Sequence, residues 1–189
     1  MISRFANHDD IEGVLALQSK YHIKTISEED KKDGFVTTLF TRDQLANLIN
    51  AENGLSVATD GGQVVANVMA ASWEYWSAWE FFRFMIAGLP ALEYAGHRLG
   101  TDNSYQYGPV CVDREYRGTG VLGSIFDFSM KSMAERYPVL VTFINKVNPR
   151  SLASHTRKLG LDVISEFEFS NNQYAELACL TRAKSGNRC

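Results

Sequence analysis

V-C-V-D-R-E-Y-R-G-T-G-V-L-G, residues Val110 to Gly123, runs a short apolar strand into a glycine-punctuated turn and on into a helix. Gly118 and Gly120 leave room for close approach and for backbone angles that other residues resist. The N–H groups at the helix start, Thr119 to Gly123, point at whatever anion sits there, aided by the positive end of the helix dipole. The first expectation is therefore an anionic ligand. A helix entry with no ligand stays open as the plainer reading of the same glycines. The three-glycine dinucleotide fingerprint and the Lys-Ser/Thr ending of a P-loop are both absent, which disfavours a nucleotide binder of either kind.

The chain has 189 residues, 45% hydrophobic and 22% charged, which fits one globular domain over residues 1–189. With four prolines and no low-complexity tract, no disordered linker is expected. A net charge of −3 without a Lys/Arg cluster argues against a nucleic-acid partner. The start, M-I-S-R-F-A-N-H-D-D, lacks the pattern of a secretory leader. The apolar stretch Trp73 to Leu89 is interrupted by Glu74, Glu80 and Arg83, so no membrane partner is expected and a cytoplasmic location is. Cys111, Cys179 and Cys189 form neither a disulfide framework nor a zinc signature, and His8, His22, His97 and His155 lack ligand spacing. No metal is expected.

Outward from the central stretch, the pattern predicts a strand at Ile2 to Phe5 and a helix capped by Asn7 or Asp9, with Ile11, Val14, Leu15 and Leu17 on its apolar face. Thr41 with Gln44 has capping-box spacing ahead of Leu45, Leu48 and Ile49. Leu55 to Thr59 and Gln63 to Ala70 read as a hairpin around Asp60-Gly61-Gly62. Ser72 to Leu89 reads as one helix ended by Gly88 and Pro90. Then come a strand at Tyr105 to Val112, a helix at Gly120 to Arg136, a strand at Val139 to Lys146, a short helix at Pro149 to Leu159 closed by Gly160, and a strand pair at Val163 to Phe169 and Tyr174 to Leu180. Pro109 cannot donate to a ladder and marks an edge or a bulge. The order is α+β.

Arg117, Gly118, Thr119 and Gly120, following V-x-x-x-Y-R, resemble the R/Q-x-x-G-x-G/A signature of the GNAT superfamily of acyl-CoA-dependent N-acetyltransferases, with Leu122 where the signature ends in Gly or Ala. The segment Asn148 to Gly160, N-P-R-S-L-A-S-H-T-R-K-L-G, is similar to a second GNAT segment, N-x-x-S/A-x-x-x-Y-x-K-L-G. His155 stands at the Tyr position, and the stretch beyond it is one residue longer. The resemblance implies a mixed, predominantly antiparallel central sheet with splayed middle strands and helices on both faces. It implies acetyl-CoA as acyl donor, with its pantetheine arm on the backbone of Val110, Cys111 and Val112 and its pyrophosphate on Arg117, Gly118, Thr119, Gly120, Val121, Leu122 and Gly123. Asn148 and Ser151 would meet the arm, and His155 would protonate the departing thiolate.

On that reading the chain transfers acetyl to a small-molecule or protein amine by direct attack in a ternary complex. The amine must lose a proton first, and Glu74 and Tyr107 are the candidate bases. Glu115 is expected to be solvated, and Cys111 to be packing and not a nucleophile. The aromatic run Trp73 to Phe84 is a core helix on the plain reading and an acceptor pocket or homodimer surface on the other. A non-catalytic acyl-CoA-binding regulatory module is the alternative function, supported by Leu122 and His155.

Overall fold

The computed structural model describes residues 1–182, apart from the side chains of residues 32 and 33. Cys189 lies outside the described residues. In chain order the elements are β1 (Ile2–Phe5), α1 (Ile11–Lys20), α2 (Arg42–Asn47), β2 (Leu55–Asp60), β3 (Gln63–Ala71), α3 (Trp73–Trp76) and α4 (Glu80–Gly88). There follow β4 (Glu93–Tyr94), β5 (His97–Arg98), β6 (Ser104–Val112), α5 (Val121–Met133), β7 (Val139–Asn145), α6 (Pro149–Ala153), β8 (Asp162–Phe169) and β9 (Asn172–Leu180). β6 and β7 run parallel, while the pairs β1–β2, β2–β3, β7–β9 and β8–β9 are antiparallel. The architecture is α+β, as the sequence predicts.

The described residues divide into two compact units, one of residues 1–70 and 108–129, the other of residues 71–107 and 130–182. In the first, β1, β2, β3 and the second half of β6 lie side by side in that order. The β2–β3 hairpin turns at Gly61 and Gly62 with φ of 55° and 85°, angles that suit glycine and match the twist of a tight hairpin. β3 is buried along nearly its whole length, so it shows none of the alternation of a half-exposed strand. α1 lies so close to it that a Cβ on Gly13 would come within 2.8 Å of Val64. Asn7 caps the short turn leading into α1 and Thr41 caps α2, each closing a capping box.

In the second unit the first half of β6 is followed by β7, β9 and β8. The parallel ladder holds three pairs, Ser104 with Val139, Tyr105 with Leu140 and Gln106 with Val141, although both strands run on beyond it. Helices cover both faces of this part: Trp73 Nε1 donates to Ser104 Oγ at 2.9 Å on one face, and His155 meets the Tyr107 ring on the other. β8 keeps a polar outer row, Asp162, Glu166 and Glu168, which suits an outer strand.

The expected single helix over Ser72 to Leu89 is two helices. Trp76 and Phe82, six residues apart, would point about 120° apart on one straight helix at 3.6 residues per turn. Their rings lie 4.7 Å apart, and both are buried. The chain breaks at Ser77–Trp79 to let both rings into the core. Trp79 is extended at φ −101° and ψ 138°, Ser77 Oγ donates to the Glu74 carbonyl, and Arg83 Nη1 donates to the carbonyls of Ser77 and Ala78. The small β4–β5 hairpin, turning at Ala95 and Gly96 with positive φ, has two-residue strands too short to show alternation.

Gly54 follows the left-handed Asn53, and its carbonyl accepts from Ala70 N at 2.8 Å. A Cβ there would lie 2.1 Å from the Ala70 carbonyl oxygen. Gly54→Ala is expected to cost about 2–3 kcal/mol, seen as a lower midpoint in urea unfolding.

Candidate acyl-CoA site

Where β6 ends, Asp113 fixes the direction of the chain. Its amide donates to Val65 O at 2.8 Å, and its carboxylate accepts from Lys20 Nζ at 2.8 Å, from the Tyr21 hydroxyl at 3.1 Å and from the Glu115 amide at 3.2 Å. Tyr21 in turn accepts from the Arg114 amide at 2.7 Å. Burial pushes the Asp113 carboxyl up, but Lys20, the Glu115 amide and Tyr21 together hold it below the ordinary carboxylate range. Arg117 closes the loop from the far side: its Nε donates to Val112 O at 3.0 Å, and its guanidinium lies 4.7 Å from the Tyr21 ring centre.

Gly118 and Gly120 follow with φ of 88° and 92°, and a Cβ built on either would meet no heavy atom within 4 Å. The loop is open where the sequence predicts a ligand. The Thr119 hydroxyl donates to Tyr116 O, and the Ser124 amide donates to Gly120 O at 3.1 Å as the first turn of α5 forms. The amides of Val121, Leu122 and Gly123 therefore precede the ladder of that helix and have no partner within it. Leu122, at the last signature position, is half-buried. Beside this loop a cavity of about 260 Å³ is lined by Lys20, Tyr21, Ser27, Asp30, Arg114 and Arg117, so cations predominate on its walls.

Along β6, Val110 and Val112 are half-exposed and Cys111 turns inward. Burial pushes the Cys111 thiol up to about 12, and its Sγ lies 3.8 Å from Leu17 O. Such a thiol is inert packing. Glu115 is exposed, as expected.

In the other unit, Asn148 caps α6, its Oδ1 accepting from the Ser151 amide at 3.2 Å, with Pro149 in the first turn. The extra residue of this segment is taken up by a π turn over Ser154–Lys158, closed by Gly160 at φ 81°. His155 is buried, and its Nδ1 lies 2.8 Å from the Ser151 carbonyl oxygen. A carbonyl only accepts, so Nδ1 carries the proton and Nε2 of the neutral ring is an acceptor. Burial lowers the His155 pKa, against a smaller upward pull from the Ser151 carbonyl. The ring is neutral at neutral pH, which opposes the imidazolium that the sequence reading assigned to thiolate protonation.

Tyr107 is fully buried, and its ring lies 6.1 Å from that of His155. Glu74 is not brought to this pair. It lies exposed on the first turn of α3, and α3 packs on the Ser104 face of β6, opposite to Tyr107.

One titratable group escaped the sequence reading. Glu176 is buried in the middle of β9, its Oε1 meets no hydrogen-bond donor, and burial raises its carboxyl to about 7. The signal was present: Glu176 is the sole charge in the otherwise apolar run from Ala175 to Leu180.

No protein-family model and no curated protein sequence matches the chain. Solved structures do. A putative acetyltransferase of Salmonella typhimurium, yncA, crystallised with its cofactor acetyl-CoA, is 14% identical, with a TM-score of 0.63 over 99% of this chain and 97% of its own. A ribosomal-protein-alanine N-acetyltransferase from Brucella melitensis is 18% identical, with a TM-score of 0.62 over 95% and 99%. The fold is that of the GNAT acetyltransferases. An aminoglycoside 6'-acetyltransferase type Ii superposes with a TM-score of 0.64 at 11% identity over 97% of this chain and 99% of its own. The GNAT fold is thus shared over nearly the full length of each chain. Among the described residues no helix is long and apolar enough to cross a membrane.

Two outcomes follow from this geometry. Because the folded state holds Asp113 below its unfolded value of about 3.9, its stabilisation is complete above that value and is lost as pH falls through the folded pKa. Asp113→Asn is expected to lower stability by about 2 kcal/mol at pH 7 and to flatten the acid limb of a urea-midpoint against pH plot. Cys111 is expected to resist maleimide at pH 8 in the native protein and to react once unfolded, as read by peptide mass spectrometry.

Proposed function

We propose that this chain transfers an acetyl group from acetyl-CoA to a primary amine, small-molecule or protein-borne, within a ternary complex. The observation that carries the reading is the open loop at Gly118 and Gly120 between β6 and the amides that begin α5, in a GNAT fold. The loop has open space at both glycines, and its backbone amides suit the oxygens of a diphosphate. Arg117 closes its root, and the amides of Gly118 and of Gly120 to Gly123 hold the phosphates, while that of Thr119 is bonded to Tyr116 O. The half-exposed backbone at Val110 and Val112 pairs with the amides of the pantetheine arm. Acetyl-CoA supplies an activated acyl group. The chain's own task is to remove protons and hold geometry.

An alkylamine with a pKa near 10.4 costs about 4–5 kcal/mol to deprotonate at pH 7. His155, with Nδ1–H fixed on Ser151 and Nε2 left as acceptor, suits proton removal better than thiolate protonation. Tyr107, edge-on to it, is a second candidate for proton transfer. Cys111 takes no part, so no acyl-enzyme forms. Cys111 and Cys179, both outside any disulfide, suit the reducing cytoplasm.

The same neutral, tethered His155 also favours the second reading, an acyl-CoA-binding module without turnover. The two differ in a direct assay. The transferase reading expects calorimetric binding of acetyl-CoA and amine-dependent thiol release; saturable binding with no thiol release across a panel of alkyl, aralkyl and peptide amines would select the module. Gly120→Val is expected to weaken acetyl-CoA binding more than tenfold, by straining the loop and filling the cradle. His155→Phe is expected to leave that binding intact and to lower turnover about 100-fold; unchanged turnover removes His155 from the chemistry.

A further inference from the structure

β9 places Glu176 opposite Phe143 of β7 and Ser165 of β8. Directly paired residues share a face of the sheet, as do residues two apart, so Glu176 stands with Phe143 and Tyr174. Gln106 stands on that face too, because it pairs with Val141, two residues before Phe143. Glu176 is 5% exposed and Gln106 is fully buried, yet the Oε1 of each has no donor. The Gln106 amide nitrogen is committed to Tyr107 O at 2.7 Å, which leaves its oxygen as the spare acceptor. Two orphaned acceptors on one buried face are costly, and a leucine at either position would avoid the cost. They make sense as partners for donors that arrive with a ligand.

The surroundings say which donors. The Phe81 ring lies 4.4 Å from Phe143 and 5.1 Å from Tyr174, and Phe143 and Tyr174 are 5.8 Å apart. All three are only half-buried, so the cluster has an outward side, whereas Glu176 on the same face is buried. Aromatic faces attract cations, and a lone carboxyl among them completes a site for positive charge. Among the described residues no cation fills that role, and burial sets the raised pKa of Glu176.

We propose that Glu176, with Gln106 as second acceptor and Phe81, Phe143 and Tyr174 as walls, binds the ammonium group of a primary alkyl- or aralkylamine. The proposal rests on the acetyltransferase reading, because that amine is the acceptor; Gln106 shares the Ser104 face of β6, opposite to Tyr107 and His155, so the bound ammonium passes its first proton to Glu176 and not to His155. The ammonium donates to the carboxylate and to the Gln106 oxygen, while its carbon chain lies against the rings. Specificity follows: amines are preferred to alcohols of the same shape, and a primary ammonium, with three donors, to a quaternary one.

The test is calorimetric titration of the CoA-loaded protein with phenethylamine, and with 2-phenylethanol as its neutral counterpart. Saturable binding at least tenfold tighter for the amine, reduced at least tenfold in Glu176→Gln with the alcohol unaffected, upholds the site. Phe143→Leu is expected to weaken both probes. Equal affinity for amine and alcohol, an unchanged amine affinity in Glu176→Gln, or no saturable amine binding overturns it. Glu176→Gln is nearly isosteric and removes a buried charge, so it is expected to unfold no earlier than the wild type at pH 8. Acetyl-CoA titrated into the wild type separates the two readings: if it binds while the amine result fails, only the amine site falls, and if it does not bind, the transferase reading falls.

Discussion

The carboxylate of Asp113 is the interaction on which the cradle depends. A buried anion at the end of a strand is unfavourable on its own, and here three donors from two parts of the chain meet it. Lys20 and Tyr21 come from the end of α1, the Glu115 amide from the loop itself, and the Asp113 amide ties the same residue to β3. The charge therefore converts four separate chain segments into one rigid corner. From that corner Arg117 returns over Tyr21 to Val112, and only then does the chain enter the two glycines. The open loop is held from behind, which leaves its front to a ligand.

The chemistry at His155 follows from a similarly local constraint. The π turn after α6 adds a residue without lengthening the helix end, and the imidazole spends its one N–H on the carbonyl one turn back. The tautomer is set by that bond and the charge state by burial. The histidine therefore presents an acceptor nitrogen, Nε2, at this position. This is a property of the environment, and residue type alone does not give it.

Much of the fold was legible because its signals are local. Gly61-Gly62, the Thr41–Gln44 box, Asn148-Pro149 and the Gly118–Gly120 pair each encode a turn or cap within four residues, and the strands flanking them follow. The aromatic run Trp73 to Phe84 was misread because its break is decided by tertiary packing: nothing within the run shows that Trp76 and Phe82 must face the same core. The β4–β5 hairpin is shorter than any period. Glu176 was overlooked because one charge in an apolar strand has the same appearance whether it points at solvent or at an aromatic cluster, and only the pairing with Phe143 tells them apart. Glu74 failed to join the Tyr107–His155 pair for the same reason, since the face of the sheet on which its helix packs is a long-range property.

A cradle assembled from peptide amides has a consequence for how this chain can change. Backbone groups are the same in every protein, so substitution can abolish such a site but can hardly adjust it. Fine tuning must fall to side chains elsewhere, and the segment between β3 and β6, with the aromatic rings it delivers, has the freedom to vary that the glycine loop lacks. Folds of this kind can therefore drift to 11–18% identity and keep their shape.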